Sequence, residues 1–304
     1  MKYLSNFSGG ACSYWALRRE IERHGKENVV PIFADTLIES QDLYDFNRRV
    51  EDELQIEIVR VCVGLTPWEL FRREGLIGND RFPICSTQLK REPLNAWMDS
   101  HYSLSDNQDD FLLERGCVSL GFDWTELHRV SDFQAQWPNW RLSAPMTEHP
   151  YWDKCRIIEE TVKRGFKRSL LYELGFPHDN CGGACVKAGI SHFVALYYRL
   201  PVVFRRWRDE ELETQGVLRE RGVSNWQFTI LKDRRGGTTK PLSLAELERR
   251  IISGEKFSKH DWGGCGCGGA THENKENAVL QAASESGNPV RPAIKSNIEE
   301  VSPT

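Results

Sequence analysis

Apolar stretches of two different periods alternate through the first sixty residues, and this constrains the fold more than any other feature of the chain. Tyr3 to Phe7 is a short strand candidate that runs into Ser8-Gly9-Gly10. Ser13 to His24 reads as a helix, and Val29 to Ala34 as a buried strand. From Ser40 to Leu54 the apolar residues Leu43, Phe46, Val50 and Leu54 recur at helical spacing. Ile56, Ile58, Val61 and Val63 then lie in a further strand. Strand, helix, strand, helix, strand is the order of a parallel sheet with crossover helices. The expected fold is α/β, a parallel five-stranded sheet with flanking helices, followed by a helical C-terminal region.

Later elements are less regular. Leu89 to Met98 reads as a helix, Cys117 to Phe122 as a strand, and Asp123 to His128 opens a helix. Residues 137–150 hold three prolines and several aromatics, which predicts irregular structure. Helices are expected over Tyr151 to Arg164, Ile190 to Leu200 and Leu242 to Ser253, with a solvated, charged helix over Arg205 to Arg221. From Thr271 onward the chain is polar, and burial there does not offset chain entropy. The expected organisation is an α/β domain over 1–135, a mainly helical region carrying two cysteine pairs over 136–270, and a disordered tail over 271–304.

Composition excludes some functions. Forty Lys plus Arg against 44 Asp plus Glu leave a formal net charge of -4, so a generally basic nucleic-acid binder is not expected, although a local basic groove is compatible. No apolar run approaches the length of a membrane-spanning helix. Met1 to Phe7 carries no signal-peptide apolar core, so a cytoplasmic protein is expected. In that setting nine cysteines read as metal ligands, reactive thiols or buried residues before they read as disulfides.

Ser8-Gly9-Gly10-Ala11-Cys12-Ser13 sits between the first strand and the first helix. Two glycines let the backbone turn tightly and bring its N–H groups near a ligand. The following helix adds its dipole and first-turn amides, and Ser8 and Ser13 add hydroxyls. The segment is an anion cradle suited to phosphate or sulfate. It is neither a Walker A loop nor a dinucleotide fingerprint. An ordinary strand-to-helix turn is the plainer reading.

Ser8-Gly9-Gly10-x-x-Ser13 resembles the PP-loop of the adenine nucleotide alpha hydrolase superfamily. Asp35-Thr36-Leu37-Ile38-Glu39 is similar to the Asp-Thr-Gly-x-Glu segment of its phosphoadenosine phosphosulfate reductase family. Cys85-Ser86-Thr87-Gln88-Leu89-Lys90-Arg91-Glu92-Pro93-Leu94 is similar to that family's Cys-x-x-x-x-Lys-x-x-Pro-Leu segment. The three segments occur in the family's order, within residues 3–130. The resemblance implies a Rossmann-like fold and binding of ATP or adenylyl sulfate with magnesium. Two departures stand out. Cys12 occupies the place where ATP-cleaving members carry a magnesium-holding Asp, leaving Asp35 or Glu39 as the replacement carboxylate. The C-terminal Glu-Cys-Gly-(Ile/Leu)-His segment of sulfonucleotide reductases is missing from the sequence.

Under this reading Ser8, Gly9, Gly10 and Ser13 hold phosphate or sulfate oxygens. Asp35 and Thr36, at the carboxyl end of the second strand, contact the nucleotide, and Asp35 accepts from ribose or adenine or coordinates magnesium. Lys90 and Arg91 neutralise phosphate. Glu126, in the cluster Asp123, Glu126, His128 and Arg129, supplies acid–base chemistry together with Asp35 and Lys90. Against these stand a helix cap at Asp35-Thr36 and a solvated face at Lys90-Arg91. Cys12, at a helix N-terminus, is either a reactive thiolate or a packed small residue.

Cys181-Gly-Gly-Ala-Cys185 and Cys265-Gly-Cys267 are both embedded in small residues, with seventy-nine residues between them. Four thiolates from two such loops satisfy tetrahedral zinc or an iron–sulfur cluster. Unrelated reduced cysteines, a redox dithiol and a sulfur-carrying persulfide remain open. His178 is an alternative ligand, and Lys187 is placed to lower a thiol pKa.

The expected function is a nucleotide-dependent enzyme that adenylates a substrate or transfers sulfur, with a tRNA or DNA base as candidate acceptor. The stretch Tyr197 to Arg208 is a candidate contact for it. The alternatives are a sulfonucleotide reductase with a rearranged cysteine set and a non-catalytic nucleotide sensor. The oligomeric state is not legible.

Overall fold

In the computed structural model, five strands form one sheet in which every neighbouring pair is parallel. They are β1 (Tyr3–Asn6), β2 (Val29–Asp35), β3 (Val59–Cys62), β4 (Cys117–Leu120) and β5 (Arg141–Ser143), in the order β3-β2-β1-β4-β5. The described residues are 2–102, 116–127, 129–130, 133–134, 140–225 and 227–263. The expected tail over 271–304, His128, Cys265 and Cys267 lie outside them.

β2 is nearly continuous in burial, as a parallel strand covered on both faces should be. Its alternate residues serve two cores. Val29 and Phe33 pack with Tyr14, Leu17, Leu43 and Val50 of α1 (Ala11–His24) and α2 (Gln41–Leu54). Ile32 and Ala34 pack on the other face with Val118, Leu94 and Met98, the last two from α4 (Glu92–His101). Between these lies α3 (Pro67–Glu74), started by Pro67 and a reciprocal Thr66–Glu69 cap. A single π-helical turn over Ser86–Arg91 feeds α4.

The fifth strand lies inside the stretch expected to be irregular. β5 has only three residues, at the sheet edge and flanked by prolines, so no period is readable there. After it come α5 (Lys154–Lys163), α6 (Leu170–Glu173), α7 (Ile190–Arg199) and α8 (Pro201–Glu220). An antiparallel hairpin, β6 (Leu231–Asp233) and β7 (Lys240–Leu242), precedes α9 (Leu244–Ile252). α8 is not the solvated helix expected over 205–221. Phe204, Trp207, Glu211, Thr214 and Leu218 form a buried stripe at spacings of three and four. Glu211, fully buried, accepts the amides of Ile230 and Leu244 at 2.9 and 2.6 Å and so fastens the hairpin and α9 to α8.

β1 is followed outward by β2 and β3, whereas β4 and β5 lie on its other side. The chain reverses direction across the sheet between β1 and β4, and ligands of open α/β sheets bind at the carboxyl end of such a reversal. No helix among the described residues is long and apolar enough to cross a membrane.

Candidate functional site

The glycine loop lies at this reversal. Gly9 has φ +77, and a Cβ there would sit 2.7 Å from Leu43 Cγ and 3.0 Å from Asn47 Oδ1. Only glycine satisfies both the backbone and the space. Ser13 Oγ donates to the Gly10 carbonyl at 2.8 Å and accepts the Gly10 amide at 3.2 Å, while Ser8 Oγ donates to Ser13 Oγ at 3.3 Å. Ser8, Gly10 and Ser13 are thus drawn together over the first turn of α1, whose leading amides have no intrahelical acceptor. From the far side, Gly121 presses on that turn: a Cβ there would lie 2.7 Å from Ser13 Cα.

Asp35 is buried at the end of β2. Oδ1 accepts the Leu37 amide at 2.7 Å and the Tyr44 hydroxyl at 2.8 Å, and Oδ2 accepts Arg60 Nε at 2.6 Å. Both oxygens organise the strand end. Leu37 is held at φ +62, a conformation glycine adopts freely and leucine rarely does. Thr36, also buried, donates to Glu39 Oε1 at 3.1 Å.

Glu39, whose side chain is 2% exposed, joins this edge to residues distant in sequence. Its Oε1 also receives Lys90 Nζ at 3.0 Å, and its Oε2 accepts the Cys181 amide at 2.7 Å. Burial opposes the charge on Lys90, but the attraction of Glu39 and of the Cys181 and Cys185 sulfurs is greater and holds its pKa well above the usual value. Lys90 is thereby a cation beside the cysteine pair, in addition to Lys187, which follows the pair in sequence.

The Cys181–Cys185 loop fits against this edge. Cys181, Gly182 and Gly183 all have positive φ. A Cβ on Gly182 would meet Ile38 O at 2.6 Å, and His192 Nε2 bonds Gly183 O at 2.7 Å. Asp179 receives both Ser40 Oγ (3.2 Å) and Ser169 Oγ (2.5 Å), hydroxyls that also cap α2 and α6. Cys85 belongs to the same neighbourhood. Burial and the nearby Cys181 push its thiol up to about 12, against the pull of Lys90. Sequence spacing did not group Cys85 with the pair, although its place at the head of the family-like Cys-x-x-x-x-Lys segment marked it as a further candidate thiol.

Ala188 bridges antiparallel to Gly263, and Gly189 N donates to Trp262 O at 3.0 Å. The chain two residues before Cys265 is thereby pinned three residues after Cys185. Thiols beside a lysine suit a soft metal in donor chemistry. Among the described residues, however, no group of three or more His, Cys, Asp or Glu side chains is placed to hold a metal ion. A complete ligand set therefore needs a donor outside them.

On the other side of the glycine loop, Cys12 faces Asp123, Glu126 and Lys154. Burial first, then the two carboxylates, push its thiol up to about 12. Of the two readings of Cys12, this environment favours the packed thiol over a thiolate, because desolvation and two anions outweigh a fraction of a dipole charge. Burial also raises Glu126, with Arg129 opposing and Asp123 reinforcing. Asp123 accepts the Thr125 amide at 2.8 Å and caps the turn that presents Glu126. Lys154 Nζ donates to Pro177 O at 2.8 Å, a second tie between this region and the approach to Cys181.

Within Tyr197 to Arg208, Trp207 is buried, Arg199 bonds the Leu174 carbonyl, and Arg208 pairs with Glu248 at 2.5 Å. Tyr198, Arg205 and Arg206 face outward. The structure thus brings Thr36, Glu39, Lys90, Cys85, Cys181 and Cys185 to one end of β2, beside the Ser8–Ser13 loop. Compared with known proteins, the chain matches no family model and no curated protein.

Proposed function

We propose that this chain is an adenine-nucleotide-binding PP-loop enzyme that adenylates an acceptor and supports sulfur transfer to it, with a nucleobase as the acceptor class. The observation that carries the reading is the Glu39 link. It ties the strand end next to an anion cradle, through a lysine and a backbone amide, to a loop of two cysteines. In the adenylation step an acceptor carbonyl oxygen attacks the α-phosphorus of ATP, the bond to pyrophosphate breaks, and pyrophosphate leaves. The outer sulfur of a cysteine persulfide, loaded by an external persulfide donor, then attacks the activated carbon and AMP departs with the oxygen. A second cysteine thiolate attacks the inner sulfur, the S–S bond breaks, and the acceptor keeps the sulfur while the two protein cysteines are left as a disulfide.

Ser8, Gly10, Ser13 and the α1 amides bind the phosphates. Lys90 offsets their charge. Asp123 and Glu126 flank Cys12 and supply the negative charge that an aspartate at that position would bring toward magnesium. Asp35, with three donors, positions the strand end. Cys181, Cys185, Cys265 and Cys267, with Cys85 adjacent, are the thiols that would hold zinc or an iron–sulfur cluster. A cluster would supply a sulfur or electron relay, and zinc a structural clasp.

A non-catalytic nucleotide sensor is the second reading, favoured by the full engagement of Asp35 and by cysteine at position 12. ATP–pyrophosphate exchange on the full chain separates the two. Exchange that depends on added nucleic acid and is lost in Ser13→Ala supports the enzyme. ATP binding without exchange supports the sensor. Failure to bind ATP contradicts both.

A further inference from the structure

Two adjoining clefts, of about 310 and 240 Å³, lie against the segment that follows the cysteine loop. They share Ile190, Lys232, Arg234 and Asp261. The first is walled by Lys187 and Ala188, just after Cys185, and by Gly263, two residues before Cys265. The second adds Arg235, Lys256 and Phe257. Nothing in the nucleotide reading uses them.

Charge here is reversed relative to the chain, which carries a net -4. Five lining cations (Lys187, Lys232, Arg234, Arg235 and Lys256) meet three lining carboxylates, Asp80, Asp233 and Asp261, with Arg235 taken up by Asp233 and by Glu255 beside the cleft. Asp80 is shared by Lys232 at 3.1 Å and Arg234 at 3.0 Å. Asp261 turns one oxygen toward the α7 N-terminus, accepting the Ile190 amide at 3.3 Å. Lys187 and Lys256 are in no ion pair among the described residues. Ile190, Leu242 and Phe257 form an apolar wall beside the cations. The Lys256 ammonium beside Phe257 in one cleft, with Lys187 in the adjoining one, matches a base next to its phosphates.

We infer that this cleft is a phosphate-binding subsite that seats a nucleotide unit of a nucleic-acid strand beside the cysteine loop. That it holds the acceptor rests on the proposed transfer to a nucleobase; that it binds phosphate does not. The cysteine loop then stands between two anion sites, the ATP cradle reached through Glu39 and the strand reached through Lys187.

The test is fluorescence anisotropy of a short fluorescein-labelled single-stranded oligonucleotide with the full chain, with AMP as competitor. Lys187→Glu and Lys256→Glu, the latter at an exposed position, are each expected to weaken binding about tenfold, and the corresponding alanine variants to lower the salt slope by about one. Arg205→Glu, on α8, is expected to leave affinity unchanged. Binding that survives both lysine changes, or that falls with Arg205→Glu instead, overturns the inference. Displacement of the strand by AMP at equal phosphate concentration assigns the site to free nucleotides and overturns the strand assignment. Binding of a fluorescent ATP analogue by Lys187→Glu and Lys256→Glu is expected to match wild type. A wild type that binds the strand but not ATP overturns the nucleotide reading and leaves this one standing.

Discussion

Glu39 accepts the backbone amide of Cys181 at 2.7 Å, a contact between residues 142 positions apart. The same carboxylate holds Lys90 at 3.0 Å. One buried side chain thus sets where the cysteine loop begins and where its neighbouring cation sits. Glu39→Ala leaves a half-buried ammonium and a part-buried amide without their acceptor. The expected loss is about 1–2 kcal/mol in urea unfolding. Glu39→Gln keeps one acceptor oxygen and is expected to lose less. Equal stability of Glu39→Ala and wild type would contradict the assignment.

Gly9 is expected to tolerate no side chain. In Gly9→Ala the methyl meets Leu43 at 2.7–2.8 Å and the backbone is held at positive φ. A penalty of about 2 kcal/mol is expected, together with loss of fluorescent ATP-analogue binding. Gly10→Ala is the control, since a Cβ there meets only Ser8 Oγ at 3.8 Å. Its stability should lie near that of wild type.

Glu211 makes stability depend on pH. Burial lifts its carboxyl from 4.5 to about 7, against the pull of the Ile230 and Leu244 amides. The native state therefore keeps the proton at pH values where the unfolded chain releases it. The stability linked to Glu211 is fully present below about pH 4.5 and is lost as pH rises to about 7, a span of about 3 kcal/mol. Urea midpoints of wild type and Glu211→Gln at pH 5 and pH 8 measure it. The variant should lack this share of the decline, and parallel profiles would contradict the assignment.

Cys12 is expected to be chemically quiet. With its thiol pushed up to about 12, iodoacetamide at pH 8 should modify the exposed Cys62 and Cys155 first, as read by peptide mass spectrometry. Modification of Cys12 at the same rate as Cys155 would show a thiolate where the carboxylates of Asp123 and Glu126 argue against one.

Much of the sheet was legible because β1, β2, β3 and their helices carry uninterrupted periods. The glycine loop was legible because its geometry is local. What escaped depends on contacts distant in sequence. β5 is too short to show a period. The buried stripe of α8 hides among arginines and glutamates, since Glu211 and Thr214 read as solvent-facing until their partners are known. Cys85 joins Cys181 only because β2 carries Glu39 to Lys90. The left-handed turn at Leu37 does not show in this chain's own residues, because leucine carries none of glycine's warning; only the glycine at that place in the similar Asp-Thr-Gly-x-Glu segment hints at it. Asp35 was correctly sited at the sheet edge, but its three donors come from Leu37, Tyr44 and Arg60, and only the fold assembles them.

The central claim is that the nucleotide cradle and the cysteine loop share one site. Its most direct measurement is the alkylation rate of individual cysteines in metal-free protein, with and without saturating ATP. The account predicts that ATP slows modification of Cys181, near Lys90 and Glu39, and leaves exposed Cys155 unchanged. An unchanged rate at Cys181 with and without ATP, in protein that demonstrably binds ATP, would contradict it.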